Sequence, residues 1–377
     1  MKLFKMMNMK LKKASSILAM IFFIGMNISC DKNDVPDIFT DSILPENFMV
    51  EIPEALSNNG NPYGRVSVGS LNGNVIYSHL ANFIHSGEEA AWIVQDIIRG
   101  IAFYRINRPM EINFESADDG REKNLVVVEQ SSFGGQNWEF QLTITDAQSE
   151  GNEDGGKALQ VFWNRSPIAG IAILKPYNID RIHYAGNEEV KIRIEYSEEN
   201  NHGYEKHMIV EVMDLPLADP LDNPYSMKSL KMFAGKSGNN IDIYGNSDHP
   251  NALFFSGDTG YNWAFVASGD VSFNIGVAEV GLPPNLLDET DREILLKEYA
   301  VKAVFTDEIL AVWPDIDQQS VDIFLANTDA PGYFSQNGFV AGGTSPGSEY
   351  TSLVTRLPAL SPYNPKDIAG LAIWFRD

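Results

Sequence analysis

Cysteine and basic residues are both scarce in this chain. A single cysteine among 377 residues excludes an internal disulfide and any cysteine-based zinc site. The 28 Lys and Arg residues face 51 Asp and Glu residues, and the resulting formal charge of −23 argues against a nucleic acid partner. The remaining composition, 44% hydrophobic and 21% charged, is ordinary for a globular protein and excludes both wholesale disorder and a polytopic membrane protein.

Recognisable catalytic motifs are also missing. None of the six histidines belongs to an H-E-x-x-H zinc motif, and the chain has no G-x-S-x-G nucleophile elbow. No glycine-rich segment has the form that cradles phosphates. We therefore expect a non-enzymatic protein that uses no cofactor and no metal. The abundant carboxylates still leave room for a glycosidase pair, which the sequence alone does not identify.

The N-terminus has the organisation of a secretory signal. Residues 1–13 contain five lysines and no acid, and a stretch of 15 uncharged residues follows from Ala14 to Ile28. As a helix this stretch would span about 22 Å, short of the roughly 30 Å hydrocarbon core of a bilayer. A cleaved signal peptide over residues 1–29 is therefore favoured over a transmembrane helix.

The only cysteine, Cys30, directly follows this apolar stretch. The segment resembles a bacterial lipoprotein signal, with Asn27 at the place where the family has Leu. The acidic run Asp31-Lys32-Asn33-Asp34 is similar to the segments that follow the cysteine in Bacteroidetes-type surface lipoproteins. The resemblance implies lipid, including palmitate, on Cys30 and a location at the outer membrane, periplasmic or surface-exposed. A free cysteine at the end of an ordinary secretory signal is the alternative.

The mature chain divides into a tether and a body. Residues 30–47 include four aspartates and two prolines in their first 16 positions and are interpreted as a tether, and residues 48–377 form the body. Two subdomains, with a boundary near 215–240, are one possible arrangement of this body. Removal of residues 1–29 leaves 23 basic and 51 acidic residues, a charge of −28, so the body would be repelled by anionic lipids. The lipid alone would then hold the protein to the membrane.

Two amphipathic helices are predicted within the body. The first covers about 87–106, with a capping box that begins at Ser86 and an apolar stripe that includes Ile97. The second is expected near 289–305. Both apolar stripes are interpreted as faces buried against a sheet, although the first could instead bind a partner.

Alternating apolar and polar residues dominate the rest of the body. Four segments show this period of two, near 110–115, 138–145, 190–196 and 271–277. Such alternation indicates antiparallel sheet with one solvated face. We predict a β-rich α+β fold, mainly antiparallel and arranged as a sandwich or barrel, with the two helices packed on it. Short strands are also expected near 321–325 and 368–375, and a loop over 335–348.

Trp138 and Trp263 are the candidate ligand-binding residues. Each stands in an Asn-Trp-x-Phe segment after an apolar run and a glycine-containing loop, so both are expected at equivalent places in two hairpins. An exposed tryptophan beside a loop could stack against a sugar ring, but core packing is the favoured interpretation. The Ile168–Ile173 segment also recurs, as Ile368–Ile373, and chance accounts for these similarities slightly better than duplication.

Two polar loops are weaker candidates for cation binding. His202 and His207 flank a turn and could meet with Glu205 around a metal, but a solvated loop is favoured. The run from Glu150 to Gly155 begins like a calcium loop but places Val161 where a bidentate Glu is required. An acidic hairpin tip is the favoured interpretation there, with weak calcium binding left open.

The sequence thus predicts a lipid-anchored cell-envelope protein with a binding or accessory role in an outer-membrane complex. The alternative is a surface glycan-binding protein or a hydrolase that acts on polysaccharide. The expected partners are the membrane, through the lipid on Cys30, together with an outer-membrane protein complex or a glycan.

Overall fold

One long antiparallel sheet organises the protein in the computed structural model. The structure describes residues 42–57, 73–102, 104–219, 226–253 and 259–376. Thirteen strands follow one another in the sheet in the same order as in the chain, and each pairs antiparallel with the next. The fold is therefore α+β and rich in β-structure, as the alternating sequence pattern predicts.

The strands have these bounds: β1 Met110–Glu115, β2 Glu122–Phe133, β3 Gln136–Asp146, β4 Lys157–Arg165, β5 Ile168–Leu174, β6 Lys191–Ser197, β7 Lys206–Met213, β8 Ser229–Ser237, β9 Asn240–Leu253, β10 Thr259–Asp270, β11 Ile275–Gly281, β12 Gly332–Ser335 and β13 Gly338–Gly342. Paired residues of β7 and β8 continue the sheet across the region of the suggested subdomain boundary.

The helices are mostly short. They are α1 Glu54–Ser57, α2 Gly73–Ala102, α3 Pro176–Ile179, α4 Val301–Val312, α5 Gln318–Phe324, α6 Thr351–Val354 and α7 Pro365–Ala369, with a π-helical turn at Ile294–Glu298. Only α2 is long, at 30 residues. No helix of the described ranges is both long and apolar enough to cross a bilayer.

The main core lies between α2 and one face of the sheet. Buried residues of α2, among them Leu80, Ile84 and Val94, join the inward side chains of strands from β2 to β12 in a single cluster. The chain before α2 lies along this helix, since the Glu88 carboxylate accepts a bond from the Ile52 N–H at 3.0 Å. Ile43 and Leu44 are buried in the same core, although both lie within the predicted tether.

The first helix differs from its prediction at both ends. It starts at Gly73, so Ser86 lies inside the helix. The Ser86 hydroxyl donates a hydrogen bond to the Asn82 carbonyl at 2.8 Å, and the predicted capping box at Ser86 is therefore wrong. The apolar stripe continues upstream through Ile76 and Leu80, and burial of that extension explains the longer helix. The stripe does pack against the sheet, but Ile97 lies at its margin and is only half-buried.

Five predictions for the second half of the chain are wrong. The helix expected at 289–305 is interrupted at Tyr299 and continues as α4, and residues near 321–325 form the helix α5 instead of a strand. The 335–348 segment contains β13, and residues 271–274 form an exposed turn between β10 and β11. The strand expected near 368–375 is also absent from the described sheet, because residues 368–369 end α7 and residues 371–376 continue as an extended segment outside the sheet. Ile168 and Ile368 therefore lie in different kinds of structure, and their segments do not form a structural repeat.

The extended C-terminal segment crosses the outer face of the sheet. Residues 350–376, which we call the C-terminal strap, first cover β10 and β11 through Tyr350, Leu353 and Leu357. Farther along, Ile373 and Phe375 pack with Phe162 and Ile171 of β4 and β5. The sheet is thus covered by α2 on its inner face and by the C-terminal strap on its outer face.

Candidate functional site

An open pocket lies beside Trp138. Its volume is about 410 Å³, and it opens where the β2–β3 hairpin meets the end of the C-terminal strap. The lining residues carry hydroxyl, amide, indole and guanidinium groups, and they are Gln130, Ser131, Ser132, Asn137, Trp138 and Arg376. We refer to this site as the Trp138 pocket.

The hairpin places these groups through its turn and its register. Gly134 and Gly135 both have positive φ, at 61° and 78°, which suits the two-residue turn between Phe133 and Gln136. Trp138 then lies opposite Ser131. The indole is 5% exposed, and its N–H donates to the Phe133 carbonyl at 3.1 Å. Trp138 therefore borders the pocket without presenting an open ring.

Arg376 brings a positive charge to the Trp138 pocket. Its guanidinium donates to the Gln141 carboxamide oxygen at 3.0 Å and also to the Ser131 hydroxyl. Its backbone is held on both sides by Gln160, which accepts from the Arg376 N–H at 2.8 Å and donates to the Arg376 carbonyl at 3.1 Å. These bonds fix the cation in place, so the pocket offers preorganised donors to a polar or anionic group.

Trp263 lies in the main core, far from such an opening. It is 5% exposed, and its ring packs against Phe83 at 5.3 Å and His79 at 5.8 Å between ring centroids. Burial lowers the pKa of His79, so its imidazole is neutral at neutral pH. The surroundings of Trp263 are those of a packing residue.

A serine and a histidine meet beside Trp263. The Ser247 hydroxyl lies 2.8 Å from Nε2 of His249, a contact that nucleophilic sites also use. Both side chains are fully buried, and the intervening Asp248 points to the opposite face of the strand. The pair therefore lacks the access to substrate that a nucleophilic site needs.

The two predicted hairpin histidines do come together. The rings of His202 and His207 lie 4.8 Å apart between centroids. Glu205 instead accepts a hydrogen bond from the Gly238 N–H at 3.1 Å. Among the described residues, no three His, Cys, Asp or Glu side chains are grouped closely enough to hold a metal ion.

The acidic loop between β3 and β4 uses its carboxylates internally. Asp154 pairs with Lys175 at 2.7 Å and accepts from the Gly156 N–H at 2.8 Å. Nearby, the fully buried Asp146 carboxylate binds both Arg121 at 2.8 Å and Arg181 at 3.0 Å. Burial would raise the pKa of Asp146, but hydrogen bonds from Arg121 and Ser149 and the charge of Lys123 hold this pKa below its usual value. These ion pairs join the loop to its neighbours and occupy the Asp154 carboxylate of the run that begins like a calcium loop.

Sequence reasoning identified Trp138 but not the rest of its pocket. Asn137 is its direct neighbour and Gln130 lies across the hairpin, so a register prediction could have found them. Arg376 carries no such signal, because the C-terminal strap brings it across the sheet from 238 positions away. Cys30 lies outside the described residues.

Comparisons with known proteins add no relative. No protein-family model, curated protein or solved structure matches the chain.

Proposed function

We propose that this is a lipid-anchored protein of the bacterial outer membrane, periplasmic or surface-exposed, whose body has a non-enzymatic binding or accessory role. The signal-like N-terminus that ends at Cys30 supports the anchor. The Trp138 pocket is the observation that carries the binding role, because it combines a fixed cation with neutral hydrogen-bonding groups. The lining contains no carboxylate pair among the described residues, so it favours binding over hydrolysis.

The anchor is tested by the substitution Cys30→Ser. The full-length variant should leave the membrane fraction after a high-salt wash or remain uncleaved, because the proposed lipidation site is gone. The matched control is Asn27→Leu, which supplies the residue that lipoprotein signals have at that place and should be anchored at least as well as the wild type. Cleaved Cys30→Ser protein that still sediments with membranes would refute the lipid anchor.

A glycan is the ligand class that the chemistry of the pocket favours. Saccharides are bound by amide, hydroxyl and guanidinium groups, and the Trp138 pocket supplies all three kinds beside a buried indole. This makes a surface glycan-binding protein the second candidate, beside an accessory role in an outer-membrane protein complex. Arg376 further favours a sugar that carries a carboxylate or sulfate.

The two candidates are separated by direct binding measurements. Purified protein would be titrated with neutral and acidic oligosaccharides by calorimetry, and with detergent-solubilised outer-membrane proteins. The variant Asn137→Ala changes the pocket, whereas Asn152→Ala changes an equally exposed asparagine on the acidic loop. Glycan binding that is lost in the first variant and kept in the second supports the glycan-binding role. Binding that is unchanged in both variants would remove the Trp138 pocket from the proposal.

A further inference from the structure

We propose that His202 and His207 form a binding site for a divalent transition-metal ion, such as Cu²⁺, Ni²⁺ or Zn²⁺, at the β6–β7 hairpin. His202 lies in the connection between these strands, and His207 is the second residue of β7. Their rings are 4.8 Å apart between centroids, with an angle of 74° between the ring planes. We call them the histidine pair.

The separation suits two imidazoles that share one ion. Each metal–nitrogen bond to histidine is about 2.0–2.1 Å long. Two rings on adjacent coordination positions of one metal therefore have centroids roughly 5 Å apart. The exposed His202 can adjust its ring to the ion, while His207 is fixed by the sheet.

His207 has an unused ring nitrogen in a buried position. The residue is 1% exposed, and its Nδ1 has no hydrogen-bond partner. Such a group normally finds a partner or costs free energy, so an unfilled position calls for an explanation.

Aromatic rings pack against one side of the pair. The ring of Phe233 stacks on His207 at 5.5 Å and meets His202 edge-on at 6.1 Å. Gly235 lies opposite His207, and a Cβ there would come within 2.7 Å of the Tyr204 and Phe233 rings. The missing side chain at Gly235 lets these rings close around His207, and an apolar shell of this kind limits the access of solvent to that side of the site.

The ligand set determines which metals are expected. Two imidazoles, with water in the remaining positions, suit Cu²⁺ best, then Ni²⁺ and Zn²⁺. Calcium and magnesium prefer oxygen ligands and should not bind at the pair.

The test uses full-length protein in detergent, purified without a polyhistidine tag. Titration with CuCl₂ should show one site per chain, and the electron paramagnetic resonance spectrum should show coupling to two imidazole nitrogens. His202→Asn removes one ligand and retains a residue that tolerates the positive φ of 55° at this position. We expect affinity to fall at least tenfold in this variant. The control His183→Asn, which changes a histidine outside the pair, should leave affinity unchanged.

The measurement can also overturn the proposal. Equal affinity in the wild type and His202→Asn, or a spectrum with fewer than two coupled imidazoles, would show that the pair does not bind metal. A loss of the same size in His183→Asn would mean that binding is general to surface histidines. Because the spectrum is read on the wild type, the test does not depend on whether a variant of the buried His207 folds.

Discussion

The two Asn-Trp-x-Phe segments place the same residue pattern in different surroundings. Trp138 and Trp263 both stand on the second strand of a hairpin, each opposite a serine, and both are 5% exposed. Trp263 packs in the main core with α2, whereas Trp138 joins the smaller cluster beneath the C-terminal strap. Their asparagines differ more, since Asn137 is exposed and Asn262 is fully buried.

The strand order explains why the two hairpins are not interchangeable. In an antiparallel meander, successive connections lie at alternating ends of the sheet. The β2–β3 connection is the second and the β9–β10 connection the ninth, so the hairpins point to opposite ends. The local residue pattern thus predicts that each tryptophan is buried on a strand. The position of the hairpin in the sheet determines which residues pack against that tryptophan.

The largest expected effect comes from Trp263→Ala. Removal of the indole would leave a cavity against Phe83 and His79 that the sheet and α2 cannot close. We expect a loss of about 4–5 kcal/mol in the free energy of unfolding, measured by denaturant titration. A loss below about 2 kcal/mol would mean that this side of the core can collapse around the missing ring.

Trp138→Ala should be less destabilising. The C-terminal strap contributes Ile373 and Phe375 to the same cluster, and an extended segment can shift toward the vacated space more easily than a strand. We expect a loss of about 3 kcal/mol in the free energy of unfolding, at the lower end of the range for removal of a buried tryptophan. An equal loss of unfolding free energy in Trp138→Ala and Trp263→Ala would mean that the two clusters are equally rigid. It would contradict the expected difference between them.

The two asparagines offer a matched pair of smaller changes. Asn262 accepts a buried hydrogen bond from Asn246 at 2.7 Å, so Asn262→Ala leaves that donor unpaired and should cost about 1–3 kcal/mol. Asn137→Ala alters an exposed residue and should stay within about 0.5 kcal/mol of the wild type. Thermal unfolding of both variants checks the contrast, and equal melting temperatures would contradict it.

A small and local effect is expected for Arg376→Ala. The substitution removes the side-chain bonds to Ser131 and Gln141 and should cost about 1 kcal/mol. Amide hydrogen exchange should accelerate in the β2–β3 hairpin and remain unchanged in the β9–β10 hairpin. Faster exchange in both hairpins would show that Arg376 stabilises the whole sheet instead of one end.

Local patterns predicted much of the sheet and little of what covers it. Phe140 and Leu142 in one hairpin, like Phe265 and Ala267 in the other, point into the main core as the alternation indicates. The strand predicted near Val321 is wrong because three alternating apolar residues also fit one short helix, whose N-cap Asp317 accepts a hydrogen bond from the Ser320 N–H.

The C-terminal strap shows a second limit of sequence reasoning. Ile373 and Phe375 are buried while Trp374 between them is 67% exposed, an alternation that a strand would also produce. Only the partners of this segment, which lie 160 or more residues away, distinguish an extended crossing from a strand. Arg376 could not be predicted for the same reason, and it is the charged residue among those that line the Trp138 pocket.

The strand order has a consequence for cooperativity. A sheet in which every strand pairs only with its sequence neighbours is nearly one-dimensional, and such arrays can fray from either edge without loss of the middle. Here the C-terminal strap contacts strands as far apart as β11 and β4, and α2 contacts β6 as well as β13. These crossing contacts couple distant strands, so the edges cannot open independently and the body should unfold as one unit.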